Sequence, residues 1–576
     1  MRRTLVKLTS VLGVISLGTG MCVAATASRD VVATVPSARN VMDLGRAPAA
    51  APVSIAVTLN YRNELELEQL VTLQSDPASP LFRHFLSSAE FNAAYAPSNA
   101  DYQRVVATLQ SAGFHIAQTY ANNTVVDAVG TVASANALFA TEIHSVNQRG
   151  YGLRLANVLP ARLPASLNGI VEGVTGLQTL TLVKPAYAFA RRGSAAVAPA
   201  PLGSSLYGPV STVTGFAGFG PLAFLKGYDF PAVHTVNGKT YDGAGRTSGV
   251  VIDADFLDSD LAAYLSYFHV MRTGPKTVRI KVDGGPPGGD GSSDSLETTL
   301  DVEALVSTSP GTKLYVYEMP SFNSDQYITD AYNKVVSDNL VDTANSSFGG
   351  CETGDPSGAK TWDHIATQGA AKGITFHAST GDFGSDECSF GANTVSMPAS
   401  GLHFAAIGGT SLRVDSTGQH VSETAWNSDG FNATGGGVSQ LFALPSWQST
   451  VPGVIRRGRN LPDVSFDADP NTGMALYYRG TWNSNYNPSG GTSLSSPLYG
   501  SALTEVNQFE GGRSGLAAVA AYRVFARNGY SRPKYGALFH DITAGCNATT
   551  SAGYCAKKGY DQATGIGSIV WWHFLE

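Results

Sequence analysis

Charged side chains are scarce in this sequence. Asp, Glu, Lys and Arg supply 14% of its 576 residues, against roughly 25% in ordinary soluble proteins. The 38 Lys and Arg are outnumbered by 45 Asp and Glu, for a net charge of -7. That balance offers nothing to a nucleic-acid backbone. A chain with few carboxylates also has fewer paired ones to lose in acid and gathers less positive charge there, which blunts acid unfolding. Cysteine is sparse as well. There are five, none in a Cys-x-x-Cys pair, which speaks against a zinc site. After the N-terminus no segment is long and apolar enough to span a bilayer.

The one apolar run opens the chain, "MRRTLVKLTSVLGVISLGTGMCVAATA". Arg2, Arg3 and Lys7 precede it, Gly18, Thr19 and Gly20 break it, and Ala25-Thr26-Ala27 offers a small-residue cleavage site. Residues 1–27 therefore read as a signal peptide rather than an anchor. The mature protein is expected outside the cell, after periplasmic transit if the cell is Gram-negative. Cys22 leaves with the leader, and Cys351, Cys388, Cys546 and Cys555 remain. An even number in an exported chain implies two disulfides. Three pairings are open, Cys351–Cys388 with Cys546–Cys555 being the simplest.

A 43% apolar chain of this length with 63 glycines is globular, loop-rich and long enough for two or three domains. Residues 28–187 form one block. Its runs "LELEQLVTLQ" and "ADYQRVVATLQSAGF" carry apolar residues at helical spacing, and "HIAQTYANNTVVDAVGTV" alternates like sheet. This predicts a small α+β domain. Residues 188–218 are rich in Ala, Pro, Gly and Ser and contain Arg191-Arg192, the composition of a linker open to cleavage. From 219 to 576, apolar strands such as "TSGVVIDADF", "TKLYVYEMP", "GITFHASTGDFG" and "LHFAAIGGTS" alternate with helices such as "SDLAAYLSYF", "SLETTLDVEALV" and "SDQYITDAYNKVVSD". That alternation predicts an α/β domain with a mostly parallel sheet flanked by helices.

The stretch "NPSGGTSLSSPLYG" places Ser493 behind Gly490, Gly491 and Thr492, with Pro497 four residues on. This suits a serine held at a tight turn where a helix starts, the proline being tolerated in the first turn. It is similar to the nucleophile motif of subtilisin-like proteases. A serine needs a base, yet none of the 11 histidines stands in a context like the one those enzymes use. His377 and His403 lie in strand-like runs and read as buried structural residues. In the corresponding region Glu297 and Asp301 are four apart on a predicted helix and share one face. Such a pair is either a solvated surface or coupled carboxyls that share a proton and act as a base. Asp382, beside Gly381 and Gly384 at a strand's carboxyl end, is either a turn residue or a protonated donor to an oxyanion.

Glu-x-x-x-Asp, then "STGDFG", then Gly-Thr-Ser-x-Ser-x-Pro, in that order, resembles the sedolisin (serine-carboxyl) peptidases. "FRHFLSSAEFNAAYAPS" and "VVDAVGTVASANALFATEIH" resemble their pro-kumamolisin-type activation domain. "MPASGLHFAAIGGTS", "GGGVSQLFALPSWQ" and "LPDVSFDADPNTG" are similar to their subtilisin-like catalytic domain. The resemblance implies Ser493 as nucleophile, Glu297 as base with Asp301 behind it, and Asp382 as the oxyanion-stabilising acid. Asp253 falls where relatives often carry a supporting glutamate, and as a strand-end residue it needs no such role. The chemistry suits acid. At pH 4 only about 0.3% of a histidine of pKa ~6.5 is neutral, whereas about one-third of a free glutamate is ionised.

Near the C-terminus, "FHDITAGCNATTSAGYCAKKGYDQATGIGS" is by composition a polar loop. It resembles the family's calcium site. That implies one structural Ca2+ held by the Asp541 and Asp561 carboxylates and the carbonyls of Ile542, Lys557 and Gly559. The family commonly has glycine where Lys557 stands, and Trp571-Trp572 depart from its usual ending. The expected protein is a secreted, self-processing, acid-active peptidase, an endopeptidase or a tripeptidyl-peptidase. Its partners are polypeptide substrates and its own prodomain as intramolecular inhibitor and chaperone. It is expected to be a monomer after maturation. The alternatives are a histidine-dependent subtilisin-like protease and a catalytically silent secreted binding protein.

Overall fold

Strand alternation in the N-terminal part sends every second side chain to a different core. In the computed structural model the described residues are 30–189, 218–287, 294–389, 393–428, 430–482, 488–532, 536–549 and 553–575. The leader read over 1–27 and most of the linker, with Arg191 and Arg192, lie outside them. Strands β1 (Pro52–Leu59), β2 (His115–Thr119), β3 (Val125–Thr131) and β4 (Val171–Thr175) form an antiparallel sheet in the order β2-β3-β1-β4. Ile55, Val57 and Leu59 of β1 point inward with Val105 and Leu109 of the helix over Asn99–Ser111. Ala56 between them, with Val125, Leu67 and Val71, joins the core of the following domain instead. A strand's period of two thus serves both the domain and its docking face.

The second domain is built on an eight-stranded sheet. Its strands are β5 (Thr247–Ile252), β6 (Val278–Lys281), β7 (Lys313–Glu318), β8 (Thr343–Ser346), β9 (Thr375–Ser379), β10 (Phe404–Val414), β11 (His420–Ala425) and β12 (Val464–Asp467). The order is β6-β7-β5-β8-β9-β10-β11, with β12 also paired to β10, and only the β10–β11 pair is antiparallel. Helices α1 (Asp258–Tyr267), α2 (Asp294–Thr308), α3 (Asp325–Asp338), α4 (Pro356–Ala371) and α5 (Thr492–Glu510) pack against it. The expected strands and helices all form, and the class is the α/β one predicted. The chain leaves β5 toward β6 at one edge and returns through β7 to β8 on the other side of β5. This reversal opens a crevice at the strands' carboxyl ends.

The N-terminal sheet sits on α3 and α4. Asn122 donates to Asn333 and Gln368 (2.8 and 3.2 Å), Gly176 N–H donates to Asp325 (2.8 Å), and Tyr61 stacks on His364 at 4.0 Å. At the C-terminus, helix α6 (Trp571–Leu575) explains the paired tryptophans. Trp571 is buried against Phe466 and Tyr499, and Trp572 stacks on His234 at 4.3 Å. They pin α5, through Tyr499, to the segment around Tyr228, whose carbonyl accepts from Trp571 N–H. Both disulfides take the neighbour pairing, Cys351–Cys388 and Cys546–Cys555. Among the described residues no helix is long and apolar enough to cross a membrane.

Candidate active site

Ser493 is the second residue of α5, and the glycines before it decide what surrounds it. Gly491 caps the helix at φ 90°, where an L side chain is strained. A Cβ there would lie 2.3 Å from the Ala186 carbonyl oxygen and 2.6 Å from Asp382 Oδ2. Only a bare backbone lets these two oxygens come so close to the helix start. First-turn N–H groups have no acceptor in their own helix. That of Thr492 donates to Asp382 Oδ1 (2.8 Å) and that of Ser493 to the Ala186 carbonyl (2.9 Å).

Pro497 does not stand in the first turn, as the sequence suggested. It is the sixth residue of α5, inside the helix. Lacking an N–H, it leaves the Ser493 carbonyl without its usual i+4 donor, and the Ser347 hydroxyl reaches that carbonyl at 3.4 Å. That contact is secondary, since the one Ser347 hydroxyl proton goes to Asp301 at 2.6 Å.

Glu297 and Asp301 lie one turn apart on α2, both fully buried. Asp301 accepts from the Ser347 hydroxyl at 2.6 Å, while the Ser493 hydroxyl donates to the Ser347 carbonyl at 3.2 Å. Burial first, and then the Asp301 charge, push the Glu297 carboxyl well above its ordinary range; the nearby Ser493 hydroxyl pulls it part of the way back. Asp301 is raised by burial against the opposing effect of Ser347 and Asn345. Two such groups retain at least one proton between them at neutral pH. Burial also pushes Asp382 up to about 8, against the donors of Thr492. Its Oδ2 is buried without a hydrogen-bond partner among the described residues. Asp253, just beyond β5, is buried, and its charge adds to the rise at Glu297.

No histidine is hydrogen-bonded to Ser493 among the described residues. His377 is enclosed in β9, 3.0 Å from Ser496 Oγ, and burial lowers it to about 3, so it stays neutral. His403 is buried too, but it bridges the domains. It lies 3.0 Å from Glu68 of the N-terminal domain and 3.2 Å from Asp363, and these carboxylates raise it well above its ordinary value despite burial.

The crevice above Ser493 is filled by the chain itself. Lys184 and Pro185 pair antiparallel with Gly349 and Phe348, and Ala188 and Phe189 pair with Gly490 and Ser489. Between the two pairings, Ala186 N–H donates to the Ser347 carbonyl at 3.1 Å. Sequence reasoning missed Ser347 and Asn345, and it named Thr492 only as part of the turn before Ser493, not as a donor to Asp382. The one available signal was the run of small residues "ANSSFGG" at a strand's end.

In the C-terminal loop, Gly559 N–H donates to Asp541 (3.2 Å) and Lys557 N–H to Asp561 (3.0 Å), so the two acidic residues and the turn 557–559 are folded together. Among the described residues no donor reaches the carbonyls of Ile542, Lys557 or Gly559. Lys557 is exposed. Two carboxylates and three unpaired carbonyls are a hard-oxygen set that fits calcium.

A profile described as "Pro-kumamolisin, activation domain" matches residues 39–180, and one for the subtilase family matches residues 291–518. Sedolisin of Pseudomonas sp. (strain 101) is 31% identical over 92% of this chain and 88% of its own length. Kumamolisin of Bacillus sp. (strain MN-32) is 29% identical over 92% of each. The solved structure of Pseudomonas sedolisin, a serine-carboxyl proteinase complexed with two molecules of pseudo-iodotyrostatin, superposes with a TM-score of 0.54 at 30% identity, covering 62% of this chain and 97% of that one.

Proposed function

Because the chain belongs to the sedolisin family of serine-carboxyl peptidases and carries an activation domain, we propose that it is a secreted precursor that processes itself and then hydrolyses peptide bonds in acid. Ser493 is the nucleophile. Glu297 takes its proton, Asp301 supports Glu297, and Asp382 donates to the oxyanion beside the Ser493 N–H. The observation that carries this reading is a peptide carbonyl, that of Ala186, accepting from Ser493 N–H at 2.9 Å beside the unpartnered Asp382 Oδ2. Preorganised donors at the point where negative charge develops are the largest single term in many such reactions.

In the reaction the Ser493 oxygen bonds to the substrate carbonyl carbon as its proton moves to ionised Glu297. Because burial raises this carboxyl, it must first lose its own proton, and less of it is ionised at about pH 4 than of a free glutamate. Glu297 then delivers that proton to the leaving nitrogen as the C–N bond breaks, and water cleaves the resulting ester by the reverse route. Asp382 can donate only while protonated, so the pathway fails as pH rises through its titration near 8. The fold itself favours acid. Burial raises Glu303, Glu318, Asp325, Asp330, Asp467 and Glu505 as well. Carboxyls raised on folding contribute stability below their unfolded pKa values and lose it as pH climbs through the folded ones.

The segment in the crevice continues to Leu182 on one side and Phe189 on the other. A cleft that admits residues this far before the bond favours an endopeptidase over a tripeptidyl-peptidase. Asp541, Asp561, Ile542, Lys557 and Gly559 would hold one Ca2+, which supplies a cross-link for the loop already closed by Cys546–Cys555. The prodomain acts as inhibitor and folding template, the matured enzyme is a monomer, and polypeptides are its substrates. Export is supported by the leader-like N-terminus and the two disulfides.

The test is to bring the purified precursor to about pH 4 and follow its mass and the cleavage of denatured protein, beside Ser493→Ala and Glu297→Ala. Processing and hydrolysis in acid that fade as pH rises through about 8 in the parent, with both variants inert, are expected. Activity surviving Glu297→Ala would mean another base serves Ser493 and would sink the mechanism.

A further inference from the structure

The eight residues Leu182–Phe189 follow an extended path through the crevice. An extended peptide added to sheet edges on both sides of a nucleophile is how a protease presents a bond. Here Lys184–Pro185 lie against Phe348–Gly349 and Ala188–Phe189 against Ser489–Gly490. The pairing lapses only around one peptide unit. The carbonyl of that unit, from Ala186, accepts from Ser493 N–H, and Ala186 N–H donates to the Ser347 carbonyl.

The approach is close. A Cβ on Gly350 would sit 2.0 Å from the Leu182 carbonyl oxygen and 3.2 Å from Val183 Cα. The Lys184 ammonium lies 3.8 Å from the centroid of the Phe383 ring and is electrostatically coupled to Glu387. Glu387 Oε2 is buried with no hydrogen-bond partner among the described residues, so this acid is held ready for a cation. An aromatic face with a carboxylate beside it is a seat for an ammonium group.

We infer that Ala186–Tyr187 is the first bond this enzyme cuts, within its own chain, and that Phe383 and Glu387 form the subsite that reads a basic side chain at the third residue before the bond. The inference rests on Ser493 being the nucleophile. In the cut, the Ser493 oxygen bonds to the Ala186 carbonyl carbon and the C–N bond to Tyr187 breaks. The hydroxyl proton passes through Glu297 to the Tyr187 nitrogen, which leaves as an amine. Water then splits the ester, freeing Ala186 as a carboxyl group and restoring the Ser493 hydroxyl. The cut falls just before the segment 188–218 and five residues ahead of Arg191-Arg192, where composition alone had pointed.

The precursor, held at neutral pH and then brought to about pH 4, is quenched at intervals for intact mass and N-terminal sequencing. The earliest products should end at Ala186 and begin Tyr187-Ala188-Phe189, with a first-order rate unchanged by about tenfold dilution. Lys184→Ala should slow that cut by roughly tenfold or more, and Tyr187→Pro should abolish it. Lys184 leaves with the N-terminal product, so acid hydrolysis of denatured protein by matured Lys184→Ala enzyme keeps the parental rate. A peptide with lysine three residues before the bond should be cut faster than its alanine counterpart by the parent, with the preference lost in Glu387→Gln. An active enzyme that first cuts elsewhere, for instance after Arg192, overturns the inference and leaves the proposed function standing. A rate that rises with concentration overturns cleavage within the chain, and an unchanged rate in Lys184→Ala overturns the subsite. A parent precursor that neither processes nor hydrolyses denatured protein overturns both the inference and the reading of Ser493.

Discussion

Glu297 and Asp301 beneath Ser493, and Asp127 and Asp330 at the boundary between the domains, are both pairs of carboxyls taken out of water. Burial is the first cause of the upward shift in all four. Their neighbours differ. The first pair faces the Ser493 and Ser347 hydroxyls, which can give up or relay a proton. The second is fixed by Tyr120, which donates to Asp127 at 3.1 Å, and Gln326, which donates to Asp330 at 3.0 Å. Asp283 is the third member there, with one oxygen of each within 4.8 Å of the others. A raised pKa marks burial; chemistry also needs a nucleophile in reach, which Ser493 supplies to the first pair. The second pair instead lies across the boundary between the N-terminal sheet and α3.

Replacing Glu297 by Gln should break the comparison most sharply. It keeps the shape and removes the base, so kcat/KM of the matured enzyme should fall by on the order of 10^4 or more, measured on a peptide substrate in acid. Asp382→Ala comes next. Loss of one oxyanion donor should lower kcat by about 10^2–10^3 with little change in KM. Asp127→Asn lies in the prodomain and leaves the matured enzyme untouched. Burial raises Asp127 to about 7, so the parent precursor loses stability as pH rises through that value. The asparagine cannot ionise. In the Ser493→Ala background its precursor should gain on the parent between pH 4 and 8 by up to about 4 kcal/mol, read as a relative rise in Tm. A gap of the same size at both pH values would break the linkage. The smallest effect is expected far from both pairs. Chelating calcium from the matured enzyme should lower Tm by a few degrees, about 2–3 kcal/mol at saturating metal, and Asp541→Asn should erase the difference.

Much of the site was legible along the chain. Gly490-Gly491-Thr492-Ser493 announced a helix start, and Glu297 with Asp301 announced one face of a helix, because such signals are local and periodic. Ser347 was not legible, since its role depends on β8 ending beside α5. Pro497 was misplaced by a turn, because four residues after Ser493 already falls in the second turn of a helix that starts at Thr492. Trp571 and Trp572 found their meaning only in contacts with Phe466, Tyr499 and His234, far away in sequence.

The segment Lys184–Phe189 shows the division best. Its two-residue pairings carry no periodicity, and composition drew attention instead to the Ala- and Pro-rich stretch that follows. By itself the sequence determined which elements form and which chemical groups they carry. The tertiary structure decided which of those groups keep a proton and which backbone carbonyl meets the Ser493 N–H. Both are set by desolvation and strand pairing between distant segments, and these are sums over neighbours that no local window contains.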